Sequence, residues 1–415
     1  MHHDSLKGRW LIFSILASLY FFVYFFRTSP AVIASDLMEE FSAGAAIIGL
    51  MSSTYFYSYA AAQLPVGVLA DTIGSKKTVG LFASITLLGT LIFALSPDVT
   101  FLSIGRALIG FGGGGIFVPT QRILTRWFRT EEFARMNGLL ISIGTLGALV
   151  SSAPLALLVS ITGWRNSFLI VSTIIFLLIL LNFSFVRDDP PAPLHPQSSV
   201  RRERVSESLR KVLRNRNFRV LFMTSMITYG VMMGFQGLCG VNFFIDVYGI
   251  EKEQGAMIIM MISIGVIFGS PLGGTLSDKL GRRKIIYQLA LLGMILSWIP
   301  FSVLFGRAPL FLYYPLCFLF GFFNGVAVIF QTIGKESFPK DNIATGLATL
   351  NMAAFIGAAL LQGITGYLIE LGGRLNGGYS PQGYQITFLF YLAVLSIVFI
   401  LSFFVVETRR SQVPL

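Results

Sequence analysis

Hydrophobic residues occur along this chain in long blocks, and only short polar stretches separate one block from the next. Twelve of the blocks approach the ~20 apolar residues that a helix needs to cross the hydrocarbon core of a bilayer. Lipid offers no hydrogen-bond partner to an open backbone, so each block is predicted to be helical. The predicted helices cover residues 10–33, 45–70, 78–96, 100–124, 137–161 and 166–186 in the first half and 218–246, 254–276, 285–305, 309–334, 344–370 and 385–406 in the second.

The composition agrees with an all-α membrane protein. Hydrophobic residues make up 54% of the 415 positions and charged residues only 12%, which leaves too little polar surface for a soluble globule. The lipid bilayer is therefore the expected partner of most of the chain. The first apolar block is longer than the core of a signal peptide and lacks a convincing cleavage site, so we expect it to remain as the first helix.

The net charge of +11 is distributed in a way that predicts the orientation of the chain. If both termini are cytoplasmic, 24 of the 31 Lys and Arg residues fall in segments on that side. The opposite side receives four, namely Arg165, Lys252, Arg307 and Arg374. This asymmetry follows the positive-inside rule. We expect a multi-pass protein of the cytoplasmic (inner) membrane with both termini in the cytoplasm.

One short motif occurs twice in the chain. Gly67-Val-Leu-Ala-Asp71-Thr-Ile-Gly74-Ser-Lys-Lys returns 207 residues later as Gly274-Thr-Leu-Ser-Asp278-Lys-Leu-Gly281-Arg282-Arg283-Lys, and each copy lies between two apolar blocks. The motif resembles the cytoplasmic signature loop of the major facilitator superfamily. That resemblance implies twelve transmembrane helices in two pseudo-symmetric six-helix halves, with a substrate site between the halves near the bilayer midplane.

Both copies of this loop are predicted to take part in gating. Asp71 and Asp278 are suited to accept hydrogen bonds at a neighbouring helix N-terminus or to pair with a nearby cation. Breaking those contacts would open the cytoplasmic side. The alternative is a static turn whose basic residues only fix the topology. The candidate gating residues are Gly67, Asp71, Gly74, Gly274, Asp278, Gly281, Arg282 and Arg283.

The duplication predicts an N-terminal six-helix half at residues 1–186, a basic cytoplasmic linker at 187–217 and a C-terminal half at 218–415. The linker begins with several prolines and continues with arginines among regularly spaced apolar residues. This pattern favours a short amphipathic helix on the anionic inner leaflet. Aromatic residues do not alternate with these arginines, so we expect no nucleic-acid partner.

Three arginines, Arg27, Arg106 and Arg122, fall within predicted helices, whereas no histidine and no clear carboxylate does. A charge inside the membrane is costly and commonly marks an ion or substrate path. Unmatched arginines therefore predict a ligand that brings the negative charge. The alternative is pairing with backbone carbonyls or with acids at helix ends, and for Arg106 we favour such a structural role.

Polar side chains recur on single faces of several predicted helices. Tyr20, Tyr24 and Arg27 are four and three residues apart in the first helix, so their hydroxyls and guanidinium share one face. The alternatives are an interfacial belt for the tyrosines and interhelical hydrogen bonds for the other groups. Further candidates for substrate contact are Tyr229 and Gln236 in helix seven, Asn324 and Gln331 in helix ten, and Asn351 in helix eleven.

Two segments resemble narrower groups within the superfamily. Tyr24-Phe-Phe-Arg27-Thr in helix one and Pro119-Thr-Gln-Arg122 in helix four are similar to the anion:cation symporters and, less closely, to the sugar-phosphate exchangers. The resemblance implies that Arg27 and Arg122 bind an organic anion.

The chain departs from both groups at positions that bear on coupling. The symporters often carry acids where this chain has Phe26 and Arg129. The phosphate exchangers carry an arginine in helix seven, and none occurs in helix seven of this chain. We therefore favour uniport or exchange over proton symport.

The leading hypothesis is a secondary transporter that moves a small organic anion, a carboxylate or a phosphorylated metabolite, by alternating access. Multidrug or metabolite efflux, which the 39 phenylalanines would suit, is one alternative, and a transporter-like ligand receptor is another. An enzyme is not expected, because the sequence offers no nucleophile–base pair, metal-ligand cluster or phosphate loop. Cys239 and Cys317 both fall in apolar helices, so we expect neither a disulfide scaffold nor a metal cluster. We expect no cofactor. We also expect a monomer.

Overall fold

The computed structural model describes residues 2–190, 213–338, 343–375 and 378–408. The helices are α1 (His2–Thr28), α2 (Pro30–Glu40), α3 (Ala45–Thr72), α4 (Ser75–Ala94), α5 (Val99–Gly114), α6 (Phe117–Trp127), α7 (Thr130–Val150), α8 (Ala153–Thr162), α9 (Trp164–Phe185), α10 (Arg216–Gly234), α11 (Gly240–Tyr248), α12 (Lys252–Leu280), α13 (Arg283–Val303), α14 (Tyr313–Ala327), α15 (Ile329–Ser337), α16 (Ile343–Leu371) and α17 (Pro381–Ser402). A π-helix (Phe235–Cys239) joins α10 to α11, and a 3₁₀ turn (Leu310–Leu312) precedes α14. Strands β1 (Arg374–Leu375) and β2 (Gly378–Tyr379) pair antiparallel.

The all-α membrane fold is confirmed. Within the described ranges, ten stretches are long and apolar enough to cross a membrane, and the bent pair α7–α8 adds an eleventh. The predicted second helix is α3, a single helix of 28 residues. Each of the twelve predicted helices therefore has a helical counterpart.

The helices cluster into two compact units. Unit 1 comprises Met1–Ala43 and Leu50–Val200, and unit 2 comprises Gly44–Gly49 and Arg201–Leu415. Most of the linker, including the segment expected to form an amphipathic helix, lies outside the described residues.

Two helices of unit 1 that were predicted as continuous are interrupted at proline. The first ends at Thr28, and α2 begins at Pro30, whose ring removes a backbone donor and clashes with the preceding turn. The fifth bends by 44° between α7 and α8, and Pro154 stands at the start of α8. Apolar periodicity does not register these breaks, because proline changes the backbone and not the hydrophobic pattern.

Helices four and ten break at equivalent places and pack in an equivalent way. The breaks fall at residues 115–116, between α5 and α6, and at Val328, between α14 and α15. Before each break, a glycine packs against another helix: a Cβ on Gly110 would overlap the carbonyl of Tyr55, and a Cβ on Gly321 would overlap the carbonyl of Ile262. The absence of a side chain thus lets two helix backbones touch in each unit. The sequence repeat corresponds to a repeated packing contact.

Candidate functional site

Arg27 occupies the last turn of α1 and is almost fully buried, with 4% of its surface exposed. Its Nη2 donates a hydrogen bond to the hydroxyl of Tyr59 on α3 at 3.2 Å. The guanidinium carbon lies 4.0 Å from the centre of the Tyr24 ring and 5.2 Å from the centre of the Tyr59 ring, within the range of cation–π attraction. The predicted polar face of the first helix is therefore one side of a charged aromatic cluster.

Tyr20 extends this cluster by one turn of α1. Its ring meets that of Tyr24 edge-on, with centroids 5.3 Å apart, and stacks on Phe117 at 5.0 Å. Gly144 of α7 makes room for both tyrosines, since a Cβ there would lie 3.0 Å from each ring. Tyr20 is buried inside unit 1 and not in an interfacial belt. We call Arg27, Tyr20, Tyr24 and Tyr59 the Arg27 cluster.

Sequence reasoning misses the contribution of α3 to this cluster. Tyr59 bonds Arg27 directly, Tyr55 donates its hydroxyl to the Val23 carbonyl at 2.9 Å, and the Gln63 Nε2 donates to the Gly114 carbonyl at 3.1 Å. The sequence does contain a pattern that indicates this contribution, because Tyr55, Tyr59 and Gln63 are spaced four residues apart and share one face of the second predicted helix.

Arg122, the second arginine of the anion hypothesis, lies on α6 and is half-buried. Its carbonyl accepts from the Thr125 hydroxyl at 2.8 Å. One turn further on, Arg126 pairs with Asp189 at 2.8 Å. Arg122 is thus separated from α5 by the break at residues 115–116, on the short segment that ends beside the linker.

Arg106 has the surroundings expected for a structural arginine. It is completely buried in unit 1. Its Nη1 donates to the backbone carbonyl of Phe26 at 2.8 Å, and its guanidinium carbon lies 4.8 Å from the centre of the Tyr55 ring. The backbone pairing considered for the membrane arginines is therefore present here.

The candidates of unit 2 fall into a buried set and an exposed set. Gln236 lies in the π-helix and donates to the Ser263 hydroxyl at 2.7 Å. Asn324 makes a long hydrogen bond, 3.4 Å, to the Thr228 carbonyl. Both side chains are buried, so in this structure they join helices to one another.

The other three candidates of unit 2 are more accessible. Tyr229 is half-buried and meets the Phe355 ring edge-on at 5.8 Å. Gln331 and Asn351 are exposed. Burial therefore does not limit access of a ligand to Gln331 or Asn351.

The two glycines of each signature loop differ in whether the structure requires glycine at that position. Gly74 and Gly281 have φ angles of +90° and +60°, a region that strongly favours glycine. Gly67 and Gly274 have open space around the position of a Cβ, so packing does not require glycine at either position. The side chains of Asp71 and Asp278 lie outside the described part of the structure.

The helices that follow the signature loops are capped by acids from the far end of each half. Asp188 accepts from the Lys76 backbone N–H at 2.6 Å, at the start of α4. Glu407 accepts from the backbone N–H groups of Arg283 and Lys284 at 3.0 and 3.1 Å, at the start of α13. A carboxylate at a helix N-terminus is favoured by the exposed donors and by the helix dipole. Sequence reasoning expected an acid for such a role but did not identify these two.

The basic residues of the second loop differ in role. Arg283 is buried and reaches Glu336 at 3.0 Å and the Ser277 hydroxyl at 2.8 Å. Arg282 is exposed. Arg283 therefore ties the loop to α15, whereas Arg282 faces outward.

The membrane crossings, the duplicated loops and the buried polar clusters together define a polytopic transport protein. Residues 16–361 and 240–415 match the family model of the Major Facilitator Superfamily. The chain belongs to this superfamily and is a secondary transporter, a multi-pass membrane protein with a small-molecule substrate. It is not an enzyme.

Two similar proteins are named for anionic substrates, and one solved structure shares the fold. A probable sulfoacetate transporter of Cupriavidus necator is 25% identical over 69% of each chain. A probable hexose phosphate transport protein of Chlamydia trachomatis is 22% identical over 92% of this chain and 88% of its own length. A bacterial homologue of the human lysosomal transporter Spinster, in an inward-facing conformation, superposes with a TM-score of 0.79 at 18% identity, covering 98% of this chain and 99% of its own.

Proposed function

We propose that this protein moves a small organic anion across the cytoplasmic membrane by uniport or exchange, as a monomer with both termini in the cytoplasm. The observation that carries the proposal is the Arg27 cluster, in which a buried guanidinium is held by the Tyr59 hydroxyl and by two aromatic rings. Keeping a cation at a buried position is costly, so the position is expected to serve a charged ligand.

The chemistry of the cluster favours an oxyanion. Guanidinium presents N–H donors in a planar fork that fits a carboxylate, sulfonate or phosphate. The rings of Tyr24 and Tyr59 orient the guanidinium without neutralising its charge, and the hydroxyl groups of the cluster supply further donors. The names of the sulfoacetate and hexose phosphate relatives support the same class of substrate.

The residues at two positions where the symporters carry acids support a carrier that is not driven by protons through this site. Phe26 precedes Arg27 in the position where the symporters carry an acid, and its ring is buried. Arg129 is exposed at the start of α7. Neither side chain is a carboxylate. Arg122 is proposed to guide the anion at the cytoplasmic end. Tyr229, Gln331 and Asn351 are also proposed as substrate-contacting residues.

The two signature loops are proposed to gate the cytoplasmic side. Their positive-φ glycines fix the turn, and the acid caps at α4 and α13 fix the helix that follows each turn. Motion of the halves would then release side-chain contacts of the loops and leave the turns intact.

The first experiment is thermal stabilisation of the purified protein by a panel of carboxylates, sulfonates, sugar phosphates, neutral sugars and cationic drugs. The variants are Arg27→Gln and, as control, Arg129→Gln, which removes an exposed arginine. Selective stabilisation by oxyanions in wild type and in Arg129→Gln, lost in Arg27→Gln, is the expected result. Stabilisation by cationic drugs alone would instead support efflux.

Flux separates the transporter from a receptor and tests coupling. Liposomes that contain only this protein should exchange the stabilising anion across the membrane. An imposed pH gradient should leave the initial rate unchanged when the membrane potential is clamped. Saturable binding without flux would support a receptor, and a rate that follows the pH gradient would refute uniport and exchange.

A further inference from the structure

Arg106 leaves one edge of its guanidinium without a protein partner. Of its three nitrogens, Nη1 bonds the Phe26 carbonyl, whereas Nε and Nη2 have no hydrogen-bond partner within the described residues. These two nitrogens form the edge of the guanidinium that offers two parallel N–H donors. The side chain has no exposed surface, so bulk solvent does not satisfy that edge.

Two serine hydroxyls, on the segments that carry Phe26 and Tyr55, also lack a partner. Ser29 and Ser52 are fully buried, and neither hydroxyl has a hydrogen-bond partner in the part of the chain that the structure describes. Ser29 lies one turn after Phe26, which bonds Arg106, and Ser52 lies one turn before Tyr55, whose ring faces Arg106. Both serines are therefore within one turn of a residue that contacts Arg106.

Four buried donors, two on Arg106 and one on each serine, are unfavourable when nothing accepts from them. A buried donor without an acceptor costs about 1–3 kcal/mol, and more when it is charged. The guanidinium of Arg106 contacts the Phe26 carbonyl and the Tyr55 ring, and neither group carries a negative charge. An acceptor that is small, negative and able to take several hydrogen bonds would satisfy the group.

We propose that the open edge of Arg106 and the hydroxyls of Ser29 and Ser52 bind one monovalent inorganic anion, chloride under ordinary ionic conditions, inside unit 1. The proposal does not rest on the proposed function. Its ion is structural: it compensates the charge of Arg106 and fixes α1, α3 and α5 to one another.

The test replaces chloride by gluconate at constant ionic strength and follows the midpoint of thermal unfolding of the purified protein. Wild type should be stabilised by chloride and by bromide along a saturating curve. Ser29→Ala and Ser52→Ala remove one donor each and should weaken the halide affinity about tenfold, the effect of losing one hydrogen bond to a charged group. Arg106→Lys keeps the positive charge but loses the two parallel N–H donors of the guanidinium, and should weaken the halide affinity further.

Two controls distinguish a specific ion from a general salt effect. Ser103→Ala removes a hydroxyl one turn from Arg106 that already donates to the Val99 carbonyl, and should leave the halide curve unchanged. Arg129→Gln, which removes an exposed arginine at the start of α7, should also leave the halide curve unchanged. In crystals grown with bromide, an anomalous peak beside Arg106 is expected. A stability that is the same in chloride and gluconate, or a halide effect that survives both serine substitutions, would show that the group holds water or no ligand and would overturn the proposal.

Discussion

The Nη2 of Arg27 lies 3.2 Å from the hydroxyl oxygen of Tyr59, so the last turn of α1 is bonded to the middle of α3. Both residues are buried. Tyr59 therefore positions the arginine that we propose to bind the substrate, and its hydroxyl is the smallest group whose removal tests that role.

Tyr59→Phe should weaken binding of the stabilising anion about fivefold, because one hydrogen bond that orients the guanidinium is lost, a change of about 1 kcal/mol. The ring and its cation–π contact remain. Tyr57→Phe is the matched control, since Tyr57 lies on the same helix but is 49% exposed. Isothermal titration of both variants measures the difference. Equal affinities in wild type and Tyr59→Phe would contradict the positioning role.

Gly144→Ala should destabilise the protein by about 1–3 kcal/mol, because the new methyl group would press on the rings of Tyr20 and Tyr24 in a packed interior. Gly138→Ala on the same helix meets nothing within 4 Å and should be neutral or slightly stabilising. Thermal unfolding of the two variants in parallel provides the measurement. The idea fails if Gly144→Ala is no less stable than Gly138→Ala.

Glu407→Ala should cost about 1 kcal/mol of stability, the usual value of an N-cap side chain, because two backbone donors at the start of α13 lose their acceptor. Glu251→Ala is the control, since Glu251 stands at the start of α12 without a capping hydrogen bond from its side chain. Denaturation midpoints should separate the two variants. A similar loss of stability in both variants would mean that removal of a negative charge, and not loss of the capping hydrogen bonds, causes the destabilisation.

Glu40 should make part of the stability of unit 1 depend on pH. Partial burial acts to raise the pKa of its carboxyl, but hydrogen bonds from Arg165 and Trp164, at 2.6 and 2.7 Å, together hold the pKa below the ordinary value of 4.5. A carboxyl with a lowered pKa in the folded state stabilises that state above its unfolded pKa, and the contribution disappears as pH falls through the folded pKa. The pair is partly exposed, so the effect should be below about 1 kcal/mol.

The matching measurement compares wild type with Glu40→Gln between pH 7 and pH 3. The difference in unfolding temperature should be largest near neutral pH and should vanish at the acidic end. Glu39→Gln, a neighbouring acid for which the structure gives no ion pair with Arg165, is the control. A difference that grows as pH falls would have the wrong sign and would exclude this account.

Local spacing in the sequence was sufficient to predict the membrane-spanning helices and one side of the Arg27 cluster. Tyr20, Tyr24 and Arg27 share a helix, so the periodicity of the helix alone brings them to one face. Pro30 and Pro154 are present in the sequence, but the helix breaks beside them were not predicted, because the apolar run continues through each proline. The π-helix at Phe235–Cys239 changes the register of helix seven, and no periodicity of the sequence announces it.

The sequence by itself determined that this protein is a duplicated, polytopic helical carrier, because apolar block length, positive charge in short loops and a repeated motif are local properties of the chain. Only the tertiary structure decided that Tyr59 holds Arg27, that Gly144 makes room for two tyrosines, and that Asp188 and Glu407 cap the helices after the signature loops. These contacts join residues that are 32 to 124 positions apart. They depend on how each helix is rotated about its own axis against its neighbours, which packing sets and which the spacing within one helix does not specify.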